Sequence, residues 1–215
     1  MELRFPHSAL IIVDAQNDFC PGGALAVGAG DEVIAPLNRL ADLFARKGGI
    51  VAATQDWHPA GHASFASSHP GMAPGQMIEL AQTGAQMLWP DHCVQGSQGA
   101  DFHAALDTAP VGIIIRKGMR RNLDSYSAFF ENDRKTPTGL DGFLRARSAD
   151  TVVLGGLATD YCVLYSALDA AAQGYRTFVA LDACRAVGIP EGSQERALKM
   201  MQDAGIILVS SGEFL

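Results

Sequence analysis

Six runs of apolar and largely β-branched residues recur along the chain, and amphipathic segments lie between several of them. The runs span 9–15, 49–55, 111–117, 151–157, 176–183 and 206–210. They are continuously apolar over most of their length, which is typical of strands in a parallel sheet whose two faces are both covered. The hydrophobic pattern therefore predicts a buried parallel sheet.

Three helices are predicted between these runs, at 31–46, 160–173 and about 191–203. The apolar side chains on one face of the first are Val33, Ile34, Leu37, Leu40 and Phe44. Strands and helices thus alternate along the chain, which places it in the α/β class.

The span from Trp57 to about Pro110 differs from the rest of the chain. It is dense in His, Gly, Pro and Ser, and it contains both tryptophans and five of the six histidines. The one element predicted within it is a short helix near 102–106. Because a structureless stretch much beyond ~15 residues inside a compact domain is usually functional or disordered, we predict a functional loop at about 57–110.

Composition narrows the class of protein. A chain of 215 residues with 48% hydrophobic and 18% charged residues is expected to form a single domain over 1–215. The net charge of −7 and the scattered basic residues argue against nucleic acid as a partner. We expect neither a secretion signal nor a membrane span. Four cysteines without a C-x-x-C pair favour a reducing, cytoplasmic setting, and the pattern leaves open whether the chain forms a homo-oligomer.

Chemically reactive side chains follow four of the predicted strands. The first run leads to Asp14, the second to Asp56, the third to Lys117, and the fourth to Cys162. In open parallel sheets ligands bind beyond the carboxyl ends of the strands. These four side chains are therefore expected to share one edge of the sheet.

Three of them suit nucleophilic catalysis. A helix N-terminus and a nearby ammonium would favour the thiolate of Cys162, and a carboxylate could accept its proton. The ordinary pKa values of cysteine and aspartate differ by about 4.6 units, or about 6 kcal/mol, so the site must close most of that gap. The alternatives are that Asp14 caps a turn, that Lys117 is a solvated charge, and that Cys162 is buried and inert.

A second constellation suits a metal ion. Asp56 and His58 lie two residues apart, which puts both side chains on one face of an extended segment, and His92 is a candidate third ligand from the long loop. One carboxylate and two imidazoles bind Zn, Fe or Mn and leave positions for water or substrate. The alternative is that these are ordinary loop histidines.

Five motifs occur in order along the chain: IVDAQNDFCPGGALAV, TQDWHPAGHASF, WPDHCVQGSQGADFH, RKG and GGLATDYCV. Together they resemble the nicotinamidases of the isochorismatase-like cysteine hydrolase superfamily. The resemblance implies a three-layer α/β/α fold with a six-stranded, mainly parallel sheet. It also implies hydrolysis of nicotinamide, and of pyrazinamide, through a cysteine thioester.

The resemblance assigns roles to the candidate residues. Asp14 corresponds to the general base, Lys117 to the third member of the triad, and Cys162 to the nucleophile. The metal ligands correspond to Asp56, His58 and His92, with zinc as the first expectation for the ion that anchors the pyridine nitrogen. His62 lies near a position that only some members use as a ligand, and it is not included in the set.

The resemblance also describes the surroundings of the nucleophile. A cis peptide at Leu157–Ala158 would direct the backbone N–H groups of Ala158 and Cys162 towards the developing oxyanion. The positions that pack against the substrate ring correspond to Phe19, Leu25, Trp89, Tyr126 and Tyr161. For these five the simpler interpretation is core or rim packing.

Two other functions remain open at this point. One is a metal-free relative that acts on another amide, a carbamoyl compound or a vinyl ether. The other is an interaction domain without catalysis. The predicted metal ligands argue against the first, and the intact set of Asp14, Lys117 and Cys162 argues against the second.

Overall fold

A six-stranded parallel sheet forms the centre of the computed structural model, which describes residues 3–215. The strands of the chain are β1 (Ser8–Val13), β2 (Ile50–Asp56), β3 (Met77–Leu80), β4 (Gly84–Met87), β5 (Ile113–Lys117), β6 (Thr151–Leu157), β7 (Arg176–Arg185) and β8 (Ile207–Val209). The central sheet has the order β5-β2-β1-β6-β7-β8, and each neighbouring pair is parallel. The predicted parallel sheet is confirmed, and each of the six apolar runs forms one of its strands.

Helices cover both faces of this sheet. They are α1 (Ile34–Arg46), α2 (Leu140–Ala146), α3 (Leu164–Ala172) and α4 (Ser193–Asp203). Along β1, Leu10 and Ile12 pack into the core cluster that contains the apolar face of α1, whereas Ile11 packs into the cluster that contains residues of the other three helices. The alternation of side chains along one strand thus builds the three-layer α/β/α arrangement. Within residues 3–215, none of the helices combines the length and apolar character needed to cross a membrane.

The predicted helices are found with altered ends. A 3-10 turn at Gly30–Val33 precedes α1, and a π-helical turn at Thr159–Val163 precedes α3. Helix α2 is absent from the predicted helices. It has only seven residues and buries only Leu140 and Leu144, so its sequence is too short to show a helical pattern of apolar positions.

The long loop contains structure that its sequence did not indicate. Strands β3 and β4 pair as an antiparallel hairpin within it. The helix predicted near 102–106 is wrong, because the backbone there pairs with the chain just after β1. Phe102 bridges Gln16, and the N–H of His103 donates to the carbonyl of Ala15 at 2.9 Å.

The strand order determines where the site can form. Strands β5, β2, β1 and β6 are consecutive in the sheet, and all four point in the same direction. Their carboxyl ends therefore lie side by side at one edge. These are the four strands that lead to Lys117, Asp56, Asp14 and Cys162.

Close contact between β1 and β6 at this edge requires a glycine at position 156. A Cβ atom on Gly156 would lie 1.9 Å from the carbonyl oxygen of Val13, and the residue has a φ of +132°. Any side chain there would force the two strands apart and adopt a strained backbone conformation.

We predict that Gly156→Ala lowers the free energy of unfolding by about 3 kcal/mol or more, because backbone atoms must move to admit the methyl group. Urea denaturation measures the loss. The matched control is Gly142→Ala in α2, where a Cβ meets no atom within 4 Å and helix propensity favours alanine by about 1 kcal/mol. Equal stability changes in the two variants would contradict the prediction.

Candidate active site

The buried ammonium of Lys117 lies at the centre of the site. The side chain has no exposed surface, and its Nζ lies 2.8 Å from Asp14 Oδ2 and 3.4 Å from Cys162 Sγ. It also donates to Asp56 Oδ1 and, at 2.9 Å, to the carbonyl of Ser125. The alternative that Lys117 is a solvated charge at a strand end is therefore wrong.

Asp14 presents one carboxylate oxygen without a hydrogen-bond donor. Its Oδ1 accepts a hydrogen bond from the Thr54 hydroxyl at 2.5 Å, and that hydroxyl accepts one from the Asp14 N–H at 3.1 Å. Its Oδ2 is buried and forms an ion pair with Lys117 that lacks hydrogen-bond geometry. One carboxylate oxygen of Asp14 and the sulfur of Cys162 are within 4.8 Å of each other. A proton acceptor thus lies near the thiol.

Cys162 lies on the turn that precedes α3, and only 5% of its surface is exposed. Burial raises the pKa of its thiol well above the ordinary value, and the charge of Lys117 opposes this rise without cancelling it. Burial also raises the pKa of Asp14, against the opposing effect of Lys117. The rise at Asp14 narrows the gap between the two pKa values, whereas the rise at Cys162 widens it.

Asp56 links this group to two histidines. Its Oδ1 accepts from Lys117, while its Oδ2 lies 3.6 Å from His58 Nε2 and 3.8 Å from His92 Nε2. Burial alone would raise the pKa of Asp56, but the charges of Lys117 and His58 outweigh it and hold the pKa below its usual range.

The orientation of the two histidines fits a metal ion. Nδ1 of His58 lies 3.0 Å from the carbonyl oxygen of Gly118, and Nδ1 of His92 lies 2.8 Å from that of Pro90. A carbonyl only accepts, so each Nδ1 carries a hydrogen, and in the neutral form of each ring Nε2 presents its lone pair. The ligand atoms of Asp56, His58 and His92 all lie within 4.8 Å of one another. Carbonyl acceptors behind the rings are the usual support of metal-binding histidines.

Gly118 is the glycine of the RKG motif, and its position explains that motif. A Cβ on Gly118 would lie 2.4 Å from Cε1 of His58, and the residue has a φ of +63°. The lysine and the glycine of the motif thus have separate roles. Lys117 binds the carboxylates of Asp14 and Asp56, and Gly118 leaves room for the His58 ring.

His62 stacks on His58 with ring centroids 4.3 Å apart. Its Nδ1 lies 2.7 Å from Ser64 Oγ, and its Nε2 lies 3.2 Å from the carbonyl oxygen of Leu123. Both nitrogens have protein partners. The ring is outside the Asp56, His58 and His92 group, but it forms a second group with His58 and Asp124 whose ligand atoms lie within 4.8 Å of one another.

A cavity opens above Cys162, with an empty volume of about 360 Å³ that includes its part open to solvent. All five side chains expected to pack on a substrate ring line it, and these are Phe19, Leu25, Trp89, Tyr126 and Tyr161. Asp56, His92 and Ala158 also line it. The Leu157–Ala158 peptide is cis, as expected.

Sequence reasoning missed several residues that shape the site. The side-chain amide of Gln16 pairs with the backbone of Asp56: Oε1 accepts its N–H and Nε2 donates to its carbonyl, both at 2.8 Å. Gln16 follows Asp14 by two residues, so a wider search of the strand ends would have found it. Asp124 and Val187 also line the cavity, but no motif marks their segments.

The comparisons with known proteins agree with this geometry. The isochorismatase domain family matches residues 8–213. A nicotinamidase from Acinetobacter baylyi is 47% identical over 218 residues, covering 100% of this chain and 99% of that protein. A solved nicotinamidase and pyrazinamidase from Acinetobacter baumanii has a TM-score of 0.93 and 48% identity, covering 98% of this chain and 99% of that one. The pyrazinamidase of Pyrococcus horikoshii in complex with zinc has a TM-score of 0.77 and 35% identity, covering 95% and 99%.

We predict that Lys117→Met lowers the free energy of unfolding by about 3 to 5 kcal/mol, because it leaves two buried carboxylates without their shared cation. Equilibrium urea denaturation measures the change. The control is Lys199→Met, which removes an ion pair with Asp203 from a side chain that is 73% exposed and should cost less than about 1 kcal/mol. The prediction fails if the two variants lose similar stability.

Proposed function

The chain belongs to the isochorismatase family, and we propose that it hydrolyses nicotinamide to nicotinate and ammonia. The observation that carries the proposal is the cavity, which brings the Cys162 thiol, the histidine cluster and five ring-packing side chains to one place. The similarity to proteins named nicotinamidase and pyrazinamidase supports the same substrates for this chain.

Cys162 is the proposed nucleophile and Asp14 its base. A carboxylate oxygen of Asp14 accepts the thiol proton as the sulfur attacks the carboxamide carbon. Because a carboxylate oxygen of Asp14 and the Cys162 sulfur lie within 4.8 Å of each other, proton transfer accompanies the attack. Lys117 contacts both partners and stabilises the negative charge as it passes from carboxylate to sulfur.

The remaining steps follow from the same residues. The backbone N–H groups of Ala158 and Cys162 stabilise the oxyanion. Asp14 returns its proton to the amide nitrogen, ammonia leaves, and a nicotinoyl thioester remains on Cys162. Asp14 then takes a proton from water, which attacks the thioester carbon and releases nicotinate while the sulfur regains a proton.

Asp56, His58 and His92 would hold a divalent metal ion. When bound, this ion would supply an anchor for the pyridine nitrogen and a Lewis acid that withdraws electron density from the ring. One carboxylate and two imidazoles also bind iron or manganese. We propose zinc first, because the similar Pyrococcus horikoshii protein is in complex with zinc.

The ring-packing side chains orient the substrate. Phe19 and Trp89 come from different loops and both line the cavity, so a flat aromatic ring fits between them. Trp89 donates from its indole N–H to the Tyr126 hydroxyl at 3.2 Å, which fixes both rings relative to each other. Pyrazinamide has the same ring size and carboxamide, and we propose it as a second substrate.

We predict that Cys162→Ala lowers the rate of ammonia release from nicotinamide by at least about 10³-fold, because no other group in the cavity can form the thioester. A coupled ammonia assay measures the rate. The matched control is Cys184→Ala, which removes another buried cysteine that does not line the cavity and should retain turnover. Wild-type rates in the Cys162 variant would exclude the mechanism.

We predict that His92→Ala lowers zinc affinity by at least about 100-fold, because it removes one of three protein ligands. Elemental analysis after dialysis against a chelator measures the retained metal independently of activity. The control is His103→Ala, whose ring accepts from the N–H of Ala105 and lies outside the cluster. If both variants retain as much zinc as the parent protein, the ligand set is wrong.

A further inference from the structure

The loop between β7 and α4, residues 186–192, forms part of the rim of the cavity. Val187 lines the cavity and is half-buried, while the three residues that follow it are exposed. Val187 also packs against the same core cluster as Leu25, which lines the cavity too. The position of this loop therefore affects how much room a ring has above Cys162.

The loop is held by the turn that carries the nucleophile. Oδ1 of Asp160 accepts the N–H of Val187 and Oδ2 accepts that of Gly188, both at 2.9 Å. Oδ2 also accepts the hydroxyl of Ser193, the first residue of α4. The neighbouring Tyr161 hydroxyl donates to the carbonyl of Ile189 at 2.5 Å. Two consecutive residues thus bind the loop.

The chemistry of these contacts requires a carboxylate. Asp160 is only 5% exposed, and within residues 3–215 no lysine or arginine forms an ion pair with it. Its charge is compensated by the two loop N–H groups, the Ser193 hydroxyl and the N-terminus of α4. An asparagine at this position would present an NH₂ group to one of these donors. The contact therefore favours aspartate over asparagine.

We propose that Asp160 is a positioning residue for substrate selection. By holding Val187 at the rim, it limits the size of the ring substituents that can be accepted while the carboxamide lies at Cys162. The excluded class is ring-substituted pyridine carboxamides, such as methylated nicotinamides. This inference rests on the proposed nicotinamide hydrolysis for its substrate and on the Asp160 contacts for its mechanism.

The kinetic test compares Asp160→Asn with the parent protein on nicotinamide and on 5-methyl- and 6-methylnicotinamide. We expect KM for nicotinamide to rise about tenfold, from the loss of hydrogen bonds to a charged group, and kcat to fall less than about threefold, because Asp14, Lys117 and Cys162 are untouched. The ratio of kcat/KM for a methylated amide to that for nicotinamide should rise about tenfold for at least one of the two. An unchanged ratio for both would overturn the proposal.

Asp182→Asn is the matched control. Asp182 also accepts from a backbone N–H and a serine hydroxyl, both of Ser211, at 2.6 and 2.5 Å, but it lies outside the cavity. The same chemical change there should leave KM and the selectivity ratio at the parent values. If Asp182→Asn shifts the ratio as much as Asp160→Asn, the effect is general and the proposal fails.

A double-mutant comparison separates positioning from a general loss of structure. If Asp160 acts through Val187, Val187→Ala should raise the same ratio, and the double variant should show little further change. Independent effects that multiply in the double variant would show that Asp160 does not act through Val187.

A substrate-free measurement distinguishes this inference from the proposed function. At least one of the backbone amides of Val187 and Gly188 should exchange hydrogen at least about tenfold faster in Asp160→Asn than in the parent protein, because asparagine keeps only one of the two acceptor oxygens. Protection that is unchanged in Asp160→Asn would overturn the inference. A parent protein that releases no ammonia from nicotinamide, with the exchange result as expected, would instead overturn the proposed function alone. Should Asp160→Asn fail to fold, Val187→Ala keeps the Asp160 contacts and tests the rim directly; an unchanged selectivity ratio in that variant would contradict the inference.

Discussion

The buried ion pair network around Lys117 is the constraint on which the rest of the site depends. Strands β5 and β1 are separated by β2, so the cation must reach across about 10 Å of sheet to meet Asp14. The long stem of lysine makes this possible, and its head group then contacts groups that follow three other strands. An exposed cation at this position would leave two buried carboxylates unpaired. The burial of Lys117 is therefore what allows Asp14 and Asp56 to remain inside the protein.

The same network explains why the nucleophile and the histidine cluster are parts of one site. Asp56 gives one oxygen to Lys117 and directs the other towards His58 and His92. Two carboxylates against one ammonium leave an excess of negative charge in a buried region, which a divalent cation beside Asp56 would offset. Gln16 also holds the backbone of Asp56 in place through two hydrogen bonds. The orientation of Asp56 therefore depends on this backbone support as well as on Lys117 and the histidines.

Much of this architecture could be predicted because parallel sheets bring the carboxyl ends of their strands together. Continuous apolar runs located the six strands, and the ends of four of them pointed to Asp14, Asp56, Lys117 and Cys162 without knowledge of the strand order. The part that could not be predicted depends on contacts between distant segments. Phe102 and His103 do not begin a helix because they pair with the chain after β1. Val187 lies at the cavity in a loop whose N–H groups donate to Asp160. Neither contact produces a periodic pattern in the local sequence from which it could be predicted.

The chemistry and the choice of substrate are supplied by different parts of the fold. The proposed reacting groups lie at the ends of strands whose spacing is set by the sheet, including the close approach of β1 and β6 at Gly156. The cavity-lining side chains proposed to surround the ring come from loops: Phe19 and Leu25 follow β1, Trp89 belongs to the long loop, and Val187 follows β7. Loops tolerate change more readily than strand ends do. Related chains can therefore keep the cysteine chemistry while accepting other amides, and the assignment of nicotinamide to this chain rests on the histidine cluster and the ring-packing loops more than on the triad.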